Sequence, residues 1–226
     1  TDIGAQVDKP EERKHTSSIY DDVCPACYGS GYADGNYGQD LPIDKISFCS
    51  CPIGESQRKN RQSEISRKLH QQVAGGCDAA GIPPKYRKFP LSSFKDKSHA
   101  IVMANMLADN GMVDEKQSIF LYGENGSRKT SLGCAILSER IKKGDSCLFI
   151  RGSRILDEVQ ATYSGGQSKV DVLNRYRDIP WLMIDELVEG FIAKEMTPDK
   201  IGILSEIISE RYDWERPTII TSNLTL

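Results

Sequence analysis

Four short apolar runs alternate with longer amphipathic segments in the second half of the chain, and this alternation limits the possible folds most. The runs are SIFLY (118–122), CLFIR (147–151), WLMID (181–185) and PTIITS (217–222). Apolar residues at helical spacing predict helices at 98–110, 131–143, 152–163, 168–178 and 199–213. Because strands that alternate with helices usually pair in parallel, the pattern predicts an α/β fold with helices on both faces of a parallel sheet.

The first run leads into YGENGSRKTS (122–131), which nearly matches the phosphate-binding pattern G-x-x-x-x-G-K-[ST]. In such a loop, backbone N–H groups surround phosphate oxygens, the lysine reaches the β and γ phosphates, and the following hydroxyl binds Mg²⁺. The segment therefore predicts an ATP site, although a chance Gly-rich turn is the alternative. The candidate cofactor-binding residues of the loop are Gly123, Asn125, Gly126, Ser127, Arg128, Lys129, Thr130 and Ser131.

Arg128 stands where the pattern has its second glycine. Glycine lets the backbone approach the phosphates, whereas a residue with a Cβ strains the turn if its φ is positive. Strain of this kind costs roughly 1–3 kcal/mol, which corresponds to about tenfold to a hundredfold in affinity. The arginine also brings positive charge to an anion site. We expect the steric effect to dominate, so that nucleotide binding is weakened or abolished.

Two later strands are followed by polar residues that complete the predicted site. Asp185 and Glu186 come after the apolar run WLMI, and Asn223 follows IITS. We expect Asp185 to hold Mg²⁺ together with Thr130, and Glu186 to activate the attacking water as a general base. In sheet ATPases of this plan, the strand beside the loop strand ends in a polar residue that reaches the γ-phosphate or its water, and Asn223 is the candidate. A solvated acidic turn and a turn asparagine are the alternatives.

Four of the seven cysteines lie in two close pairs, Cys24-x2-Cys27 and Cys49-x-Cys51. Four thiolates are a closed tetrahedral set for structural Zn²⁺, and the glycines after the first pair allow the chain to turn around a metal. The sequence therefore predicts a zinc site without a catalytic role. Four reduced cysteines in a loop and an iron–sulfur cluster are the alternatives. Cys77, Cys134 and Cys147 are expected to be core or incidental residues.

The charge is unevenly distributed along the chain, whose net charge is −3. Residues 52–97 carry 10 Lys or Arg against 4 Asp or Glu, and the segments on either side are acidic. We therefore predict three parts: an N-terminal segment with the zinc module (1–51), a basic helix and linker (52–97) and an ATPase core (98–226). The helix is expected at 53–73, with a break at Gly75-Gly76. The basic residues form either a solvated helix face or a contact for nucleic acid phosphates; they include Arg58, Lys59, Arg61, Arg67 and Lys68.

The stretches LYGENGSRKTSL, WLMIDEL and IISERYDWERPTIITSNLTL resemble the DnaC/DnaI family of AAA+ helicase loaders, to which the IstB transposition helpers are closely related. GIPPKYRKFPLSSF (81–94) and CPACYGSGY with a later CSC are also similar to this family. The resemblance covers roughly residues 24–226. It implies a parallel-sheet P-loop (AAA+) ATPase domain after a small zinc-binding module and a basic helix. It further implies a protein that binds ATP, forms homo-oligomers, contacts single-stranded DNA and acts on a replicative helicase in replication initiation.

Two departures from the family pattern bear on catalysis. Arg128 is expected to weaken or abolish nucleotide binding, and family members continue beyond the position of Leu226 into a segment with the arginine finger and a helical lid. Because an arginine from a neighbouring subunit stabilises charge on the transferred phosphoryl group, hydrolysis by these residues alone is expected to be slow or absent. Whether the chain is an ATPase therefore depends on whether Arg128 is tolerated.

Three functions remain open at the level of sequence. The first is a helicase loader whose zinc module and basic helix grip the helicase, and the second is an IstB-like transposition helper whose partner is a transposase. The third is an AAA+ adaptor that keeps the fold without the chemistry. No apolar run approaches the roughly 18 residues that a membrane span needs, and the N-terminus carries no secretory signal. We therefore expect a cytoplasmic protein without membrane partners.

Overall fold

The computed structural model of the protein describes residues 23–33, 43–96, 98–109, 118–187 and 197–223. The chain divides into two compact units, Thr1–Arg67 and Lys68–Leu226. The second unit contains all four strands, which are β1 (Ile119–Tyr122), β2 (Cys147–Arg151), β3 (Trp181–Asp185) and β4 (Thr218–Ser222).

Seven α-helices are present among the described residues, and none of them is both long and apolar enough to cross a membrane. They are α1 (Pro52–Ala79), α2 (Pro84–Arg87), α3 (His99–Ala108), α4 (Lys129–Lys142), α5 (Gly152–Ala161), α6 (Lys169–Asp178) and α7 (Pro198–Asp213). Three short 3₁₀ helices lie at Ile43–Lys45, Leu91–Ser93 and Thr162–Ser164. From α3 onward, the bounds of the strands and helices agree with the sequence prediction to within two residues at either end.

The four strands form one parallel sheet in the order β1-β4-β3-β2. β4 therefore lies between the strand that leads into the phosphate loop and the strand that ends in Asp185. Because all strands run in the same direction, their carboxyl ends share one edge, where ligands bind in open α/β sheets. The predicted α/β fold is confirmed, and this strand order places the residues after β1, β3 and β4 side by side.

Two hydrophobic clusters cover the two faces of the sheet. Trp181 and Met183 of β3 pack with α3 and α4 on one face, whereas Leu182 and Ile184 pack with α5, α6 and α7 on the other. This division follows from the alternation of side chains along a strand. All five residues of β3 are buried, as expected for a central strand of a parallel sheet. The prediction of helices on both faces is therefore confirmed.

The helix expected to end before Gly75 continues as α1 to Ala79, so the predicted break is wrong. Gly76 is needed for packing rather than for a turn, because a Cβ built at this position would lie 2.4 Å from Ile141 Cγ2 on α4. Burial of Cys77 and Ala80 beside this contact continues the core onto the end of the helix. Tertiary packing thus overrides the low helix propensity of two consecutive glycines. The chain turns only at Gly81, whose φ is +72°.

A fully buried arginine, Arg211 of α7, forms hydrogen bonds with the segments that lead into β3 and β4. Its guanidinium donates hydrogen bonds of 2.6–3.2 Å to Thr218 Oγ1 and to the backbone carbonyls of Tyr176, Arg177, Ile179, Pro180 and Pro217. Burial lowers the pKa of Arg211 to about 10. The side chain satisfies carbonyls that precede both strands, which fixes the end of the sheet opposite the phosphate loop.

Candidate functional site

The phosphate loop connects β1 to α4 at the carboxyl edge of the sheet. Gly123 and Gly126 have φ of +137° and +86°, values that L-residues rarely adopt. The Ser127 hydroxyl donates a hydrogen bond of 2.8 Å to the Glu124 carbonyl, which closes the turn. α4 begins at Lys129, so its free N–H groups and its positive dipole end lie at the loop. The predicted motif therefore has the strand–loop–helix context that phosphate binding requires.

Lys129 folds back over the loop. Its Nζ donates hydrogen bonds of 2.9 and 2.8 Å to the carbonyls of Gly123 and Glu124 and one of 3.2 Å to Ser127 Oγ. These contacts hold an ammonium group at the opening of the loop, where it can contact phosphate oxygens.

Thr130 and Asp185, 55 positions apart in sequence, meet in the structure. The Thr130 hydroxyl donates a hydrogen bond of 2.8 Å to Asp185 Oδ1. Asp185 is fully buried, and its Oδ2 has no hydrogen-bond partner among the described residues. A buried carboxylate with an unpartnered oxygen is costly unless a cation compensates it, so this pair fits a Mg²⁺ ion.

A third residue, Thr221 of β4, belongs to this group and was missed by the sequence analysis. Its hydroxyl donates a hydrogen bond of 2.7 Å to Asp185 Oδ1 and accepts one of 3.0 Å from the Glu186 backbone N–H. Thr221 is 1% exposed, so these bonds lie out of reach of bulk water. The sequence offered one sign of this role, a polar threonine near the end of the mostly apolar β4. Only the pairing of β4 with β3 shows that this threonine lies beside Asp185.

Glu186 follows directly after Asp185 and has a positive φ of +54°. Its carboxylate lies 3.7 Å from Arg151 Nε at the end of β2. Both side chains are partly exposed, so this ion pair contributes little to stability. The contact nevertheless orients the residue predicted to act as general base, because an ion pair restricts where its carboxylate can point.

A cavity of about 270 Å³ opens above these residues. Eight of the predicted residues line it: Asn125, Gly126, Arg128, Lys129, Thr130, Ser131, Glu186 and Asn223. Tyr86 and Thr221 line it as well, and neither was predicted. Gly123 and Ser127 form the loop behind the lining, and Asp185 lies beneath it, bonded to Thr130. The structure thus brings all the predicted nucleotide-site residues to one place.

Arg128 adopts the left-handed conformation, with φ of +63° and ψ of +21°, directly before α4. This is the condition under which a residue other than glycine is strained, so the expected backbone cost applies. Its side chain is directed to one side of the loop, where Cζ lies 5.7 Å from the centre of the Phe89 ring. The arginine is therefore accommodated by a cation–π contact with the segment after α2.

In the first unit, the four predicted metal-ligating cysteines form one cluster. Their Sγ atoms lie within 4.8 Å of one another, with 3.8 Å between Cys24 and Cys49 and 3.6 Å between Cys27 and Cys51. Zn–S bonds of about 2.3 Å in a tetrahedron place the sulfurs about 3.8 Å apart, so the cluster fits a zinc ion. The backbone N–H groups of Ala26 and Cys27 lower the pKa of Cys24 to about 7, whereas burial and the neighbouring thiols raise the pKa of Cys49 to about 11. A bound metal would favour the thiolate form of all four cysteines.

Close backbone packing supports this arrangement of cysteines. Gly31 has φ of +83°, and a Cβ added to Gly54 would lie 1.9 Å from the Cys49 carbonyl oxygen. The Gly54 N–H donates a hydrogen bond of 3.4 Å to Cys51 Sγ. Glycines therefore allow the start of α1 to approach the second cysteine pair.

The basic residues predicted to contact nucleic acid lie on α1. Arg58, Lys59, Arg67 and Lys68 are exposed, and Arg61 is half-buried beside Glu64 at 3.2 Å. Arg58 also lies over the Phe48 ring, with Cζ 5.7 Å from its centre. The four exposed residues are accessible to an anionic partner.

Comparison with curated proteins identifies relatives of low sequence identity. A protein of Escherichia coli (strain K12), "Uncharacterized protein YdaV", is 25% identical over 174 residues, which cover 75% of this chain and 65% of that protein. The "Putative insertion sequence ATP-binding protein y4iQ/y4nD/y4sD" of Sinorhizobium fredii is 26% identical over 166 residues, which cover 72% of this chain and 53% of that protein. The chain thus spans between about half and two thirds of the length of these curated relatives.

Among solved structures, the DnaC helicase loader superposes with a TM-score of 0.54 at 22% identity, covering 64% of this chain and 81% of that one. This likeness shows a shared fold. The model of the family described as "IstB-like ATP binding protein" matches residues 62–226. The resemblance stated from sequence motifs is confirmed: the chain belongs to the IstB-like ATP-binding protein family.

Proposed function

We propose that the cavity above the phosphate loop binds ATP with Mg²⁺, and that the chain is a helicase-loader-like ATPase. The observation that carries the ATP site is the contact between Thr130 and Asp185, a 2.8 Å hydrogen bond beside a buried carboxylate oxygen without a partner. Such a hydroxyl and carboxylate, next to a lysine at a helix N-terminus, form an arrangement suited to a metal–triphosphate complex.

Each residue has a distinct role in this proposal. Lys129 and the N–H groups at the start of α4 bind the phosphates, and Thr130 and Asp185 would hold Mg²⁺, which neutralises phosphate charge when it is bound. Glu186 orients and deprotonates the attacking water, and Asn223 contacts the γ-phosphate or that water. Because ATPases of this plan take an arginine from a neighbouring subunit, the proposal includes a homo-oligomer.

We further propose that the protein acts on a replicative helicase and on single-stranded DNA, in the cytoplasm. The shared fold with the DnaC helicase loader and the cysteine cluster before α1 support this assignment. The zinc module and the exposed basic residues of α1 would contact the helicase, or DNA phosphates in the case of α1.

A transposition helper is the second candidate, because the family is described as IstB-like and the relative from Sinorhizobium fredii is named as an insertion sequence protein. The partner would then be a transposase. A non-catalytic adaptor is the third candidate, and the left-handed Arg128 in the phosphate loop is the observation that favours it.

Titration with ATP and Mg²⁺ tests the site directly. The unchanged chain should bind ATP, and Lys129→Ala should bind it at least about tenfold more weakly, because it loses a charge-assisted phosphate contact. Relief of the backbone strain alone should make Arg128→Gly bind about tenfold to a hundredfold more tightly than the unchanged chain, and any phosphate contact made by the arginine would reduce this gain. Equal and tight affinities of the unchanged chain and Arg128→Gly would show that Arg128 carries no net cost for nucleotide binding.

Turnover and partner capture separate the three functions. A loader should retain a purified replicative helicase and a transposition helper should retain a transposase, whereas an adaptor should show no ATP turnover with or without single-stranded DNA.

DNA binding through phosphates should weaken strongly between roughly 50 mM and 200 mM salt. An affinity that does not change over this range would exclude electrostatic phosphate contact.

A further inference from the structure

Within the described part of the second unit, Arg128 differs from the other arginines in having no anionic or carbonyl partner. Nine arginines are described between Lys68 and Asn223, and eight of them donate to a carboxylate or a backbone carbonyl. Arg140, for example, lies 2.6 Å from Asp145, and Arg216 lies 2.8 Å from Asp178. Among the described residues, the partner of the Arg128 side chain is the face of Phe89 alone. Its five N–H donors are therefore available to a ligand.

The position of Arg128 indicates which ligand this is. It lines the cavity of about 270 Å³ together with Lys129 and Thr130, and it also borders a second cavity of about 690 Å³ beside β1. The guanidinium thus stands at the edge of the phosphate loop, one residue before the lysine and the helix N-terminus. Asp185 and Glu186 are the carboxylates of the candidate site. In the described part of the chain, Asp185 accepts a hydrogen bond from Thr130 and Glu186 forms an ion pair with Arg151, and neither contacts Arg128.

We propose that Arg128 binds the polyphosphate of the nucleotide in cis, so that its charge offsets the strain that it introduces into the loop. This inference rests on the proposed ATP site and gives Arg128, already among its lining residues, a specific role in it. A guanidinium forms paired hydrogen bonds with phosphate oxygens, and such charge-assisted bonds are about twice as strong as neutral ones. The loss of glycine at this position is thereby compensated by a phosphate contact that glycine cannot make.

The strain and the charge can be separated because they depend on different atoms. The strain depends on the Cβ in the left-handed conformation, and it is kept when Arg128 is replaced by Gln. The charge is lost in Arg128→Gln, while the side chain keeps a comparable reach. Arg128→Gly loses both. The difference in affinity between the unchanged chain and Arg128→Gln therefore measures the contribution of the guanidinium charge. The difference between Arg128→Gln and Arg128→Gly measures the cost of the backbone strain.

The experiment is calorimetric titration of the full chain with ATP, ADP, AMP and adenosine in the presence of Mg²⁺. Arg128→Gln should bind ATP about tenfold or more weakly than the unchanged chain, which corresponds to the loss of a charge-assisted contact. The difference should decrease as phosphates are removed, disappear for adenosine, and shrink at high salt. Arg216→Gln, at the opposite end of β4 from Asn223, is the matched control and should leave ATP affinity unchanged.

The outcomes distinguish this inference from the proposed function. If the unchanged chain, Arg128→Gln and Arg128→Gly all fail to bind ATP at millimolar concentration, the ATP site itself is wrong. If Lys129→Ala loses binding while Arg128→Gln binds as tightly as the unchanged chain, or more tightly, the ATP site stands and Arg128 makes no phosphate contact. An equal loss for adenosine and ATP would also overturn the inference, since it would place the contact on the nucleoside.

Discussion

Asp185 is the residue on which the other side chains of the candidate site converge. Its Oδ1 accepts hydrogen bonds from both Thr130 and Thr221, and Thr221 also accepts the backbone N–H of Glu186. Thr221 therefore sets the position of the predicted metal ligand and of the predicted general base at the same time. Thr221 is thus a positioning residue. Its two hydrogen bonds determine where the carboxylates of Asp185 and Glu186 lie, and this does not require contact with the nucleotide.

Replacing Thr221 with Val tests this role, since valine has nearly the same shape but no hydroxyl. It leaves the Glu186 N–H without its acceptor and removes a donor to the buried Asp185, so the free energy of unfolding should fall by about 1–3 kcal/mol. ATP affinity with Mg²⁺ should also fall, because Asp185 loses one of its two hydrogen bonds. Denaturant unfolding and ATP titration measure the two effects. Thr221→Ser keeps the hydroxyl and is the control; equal values for Val and Ser would show that the hydroxyl positions nothing.

Among the secondary-structure elements, α1 departs most from its sequence pattern. It passes through Gly75 and Gly76 without a break because the second glycine allows α4 to pack closely against it. α7 has a comparable role at the other end of the sheet, where Arg211 satisfies the carbonyls that precede β3 and β4. In both cases one residue of a helix determines how the helix and its neighbours fit together.

The two glycines of α1 give a matched pair of substitutions. Gly75→Ala should raise the free energy of unfolding by about 1 kcal/mol, because a Cβ there meets nothing within 4 Å and alanine favours helix. Gly76→Ala should lower it by about 1–3 kcal/mol, because its Cβ would lie 2.4 Å from Ile141 Cγ2. Thermal and denaturant unfolding compare the two. If both variants were stabilised alike, the close packing of α1 on α4 would be wrong.

Arg211→Met should destabilise the second unit by about 3 kcal/mol or more, because the buried carbonyls before β3 and β4 lose their donor. Arg216→Gln removes a partly exposed ion pair with Asp178 in the same region and should cost about 1 kcal/mol or less. Urea unfolding followed by the fluorescence of Trp181 and Trp214 measures both. A cost for Arg211→Met no larger than that for Arg216→Gln would show that its hydrogen bonds contribute little.

The whole molecule combines two units with different sources of stability. The sheet unit has an extensive apolar core on both faces. In the described part of the first unit, by contrast, Cys27 and Cys49 are the only buried apolar side chains. A module with so small a core needs a further source of folding energy, and a metal held by four thiolates is a common one.

Metal analysis of the freshly purified full chain should therefore find about one zinc per molecule. Cys27→Ser should lose most of it, because a closed thiolate set requires all four ligands. Cys77→Ser is the control, since Cys77 is buried near Ser138 outside the cluster and should keep the metal. Chelation should make the first unit sensitive to protease while the sheet unit stays folded. Zinc well below one per chain would contradict the predicted site.

The sequence by itself determined the strands and helices from α3 onward, the α/β class and the residues of the phosphate loop. These follow from local patterns, namely apolar periodicity and a contiguous motif, so they can be read without knowledge of distant contacts. Asp185 and Glu186 were found in the same way, because they directly follow an apolar strand. The cysteine pairs were likewise visible as spacing.

Only the tertiary structure decided that β4 also pairs with β3, and with that the place of Thr221 beside Asp185. It also decided that α1 continues past Gly76, that Tyr86 lines the cavity and that Arg128 rests on Phe89. Each of these depends on contacts between residues far apart in sequence, whose energies outweigh local propensity. For Gly76 the deciding contact is the close approach of Ile141, and for Thr221 it is the parallel pairing of β4 between β1 and β3.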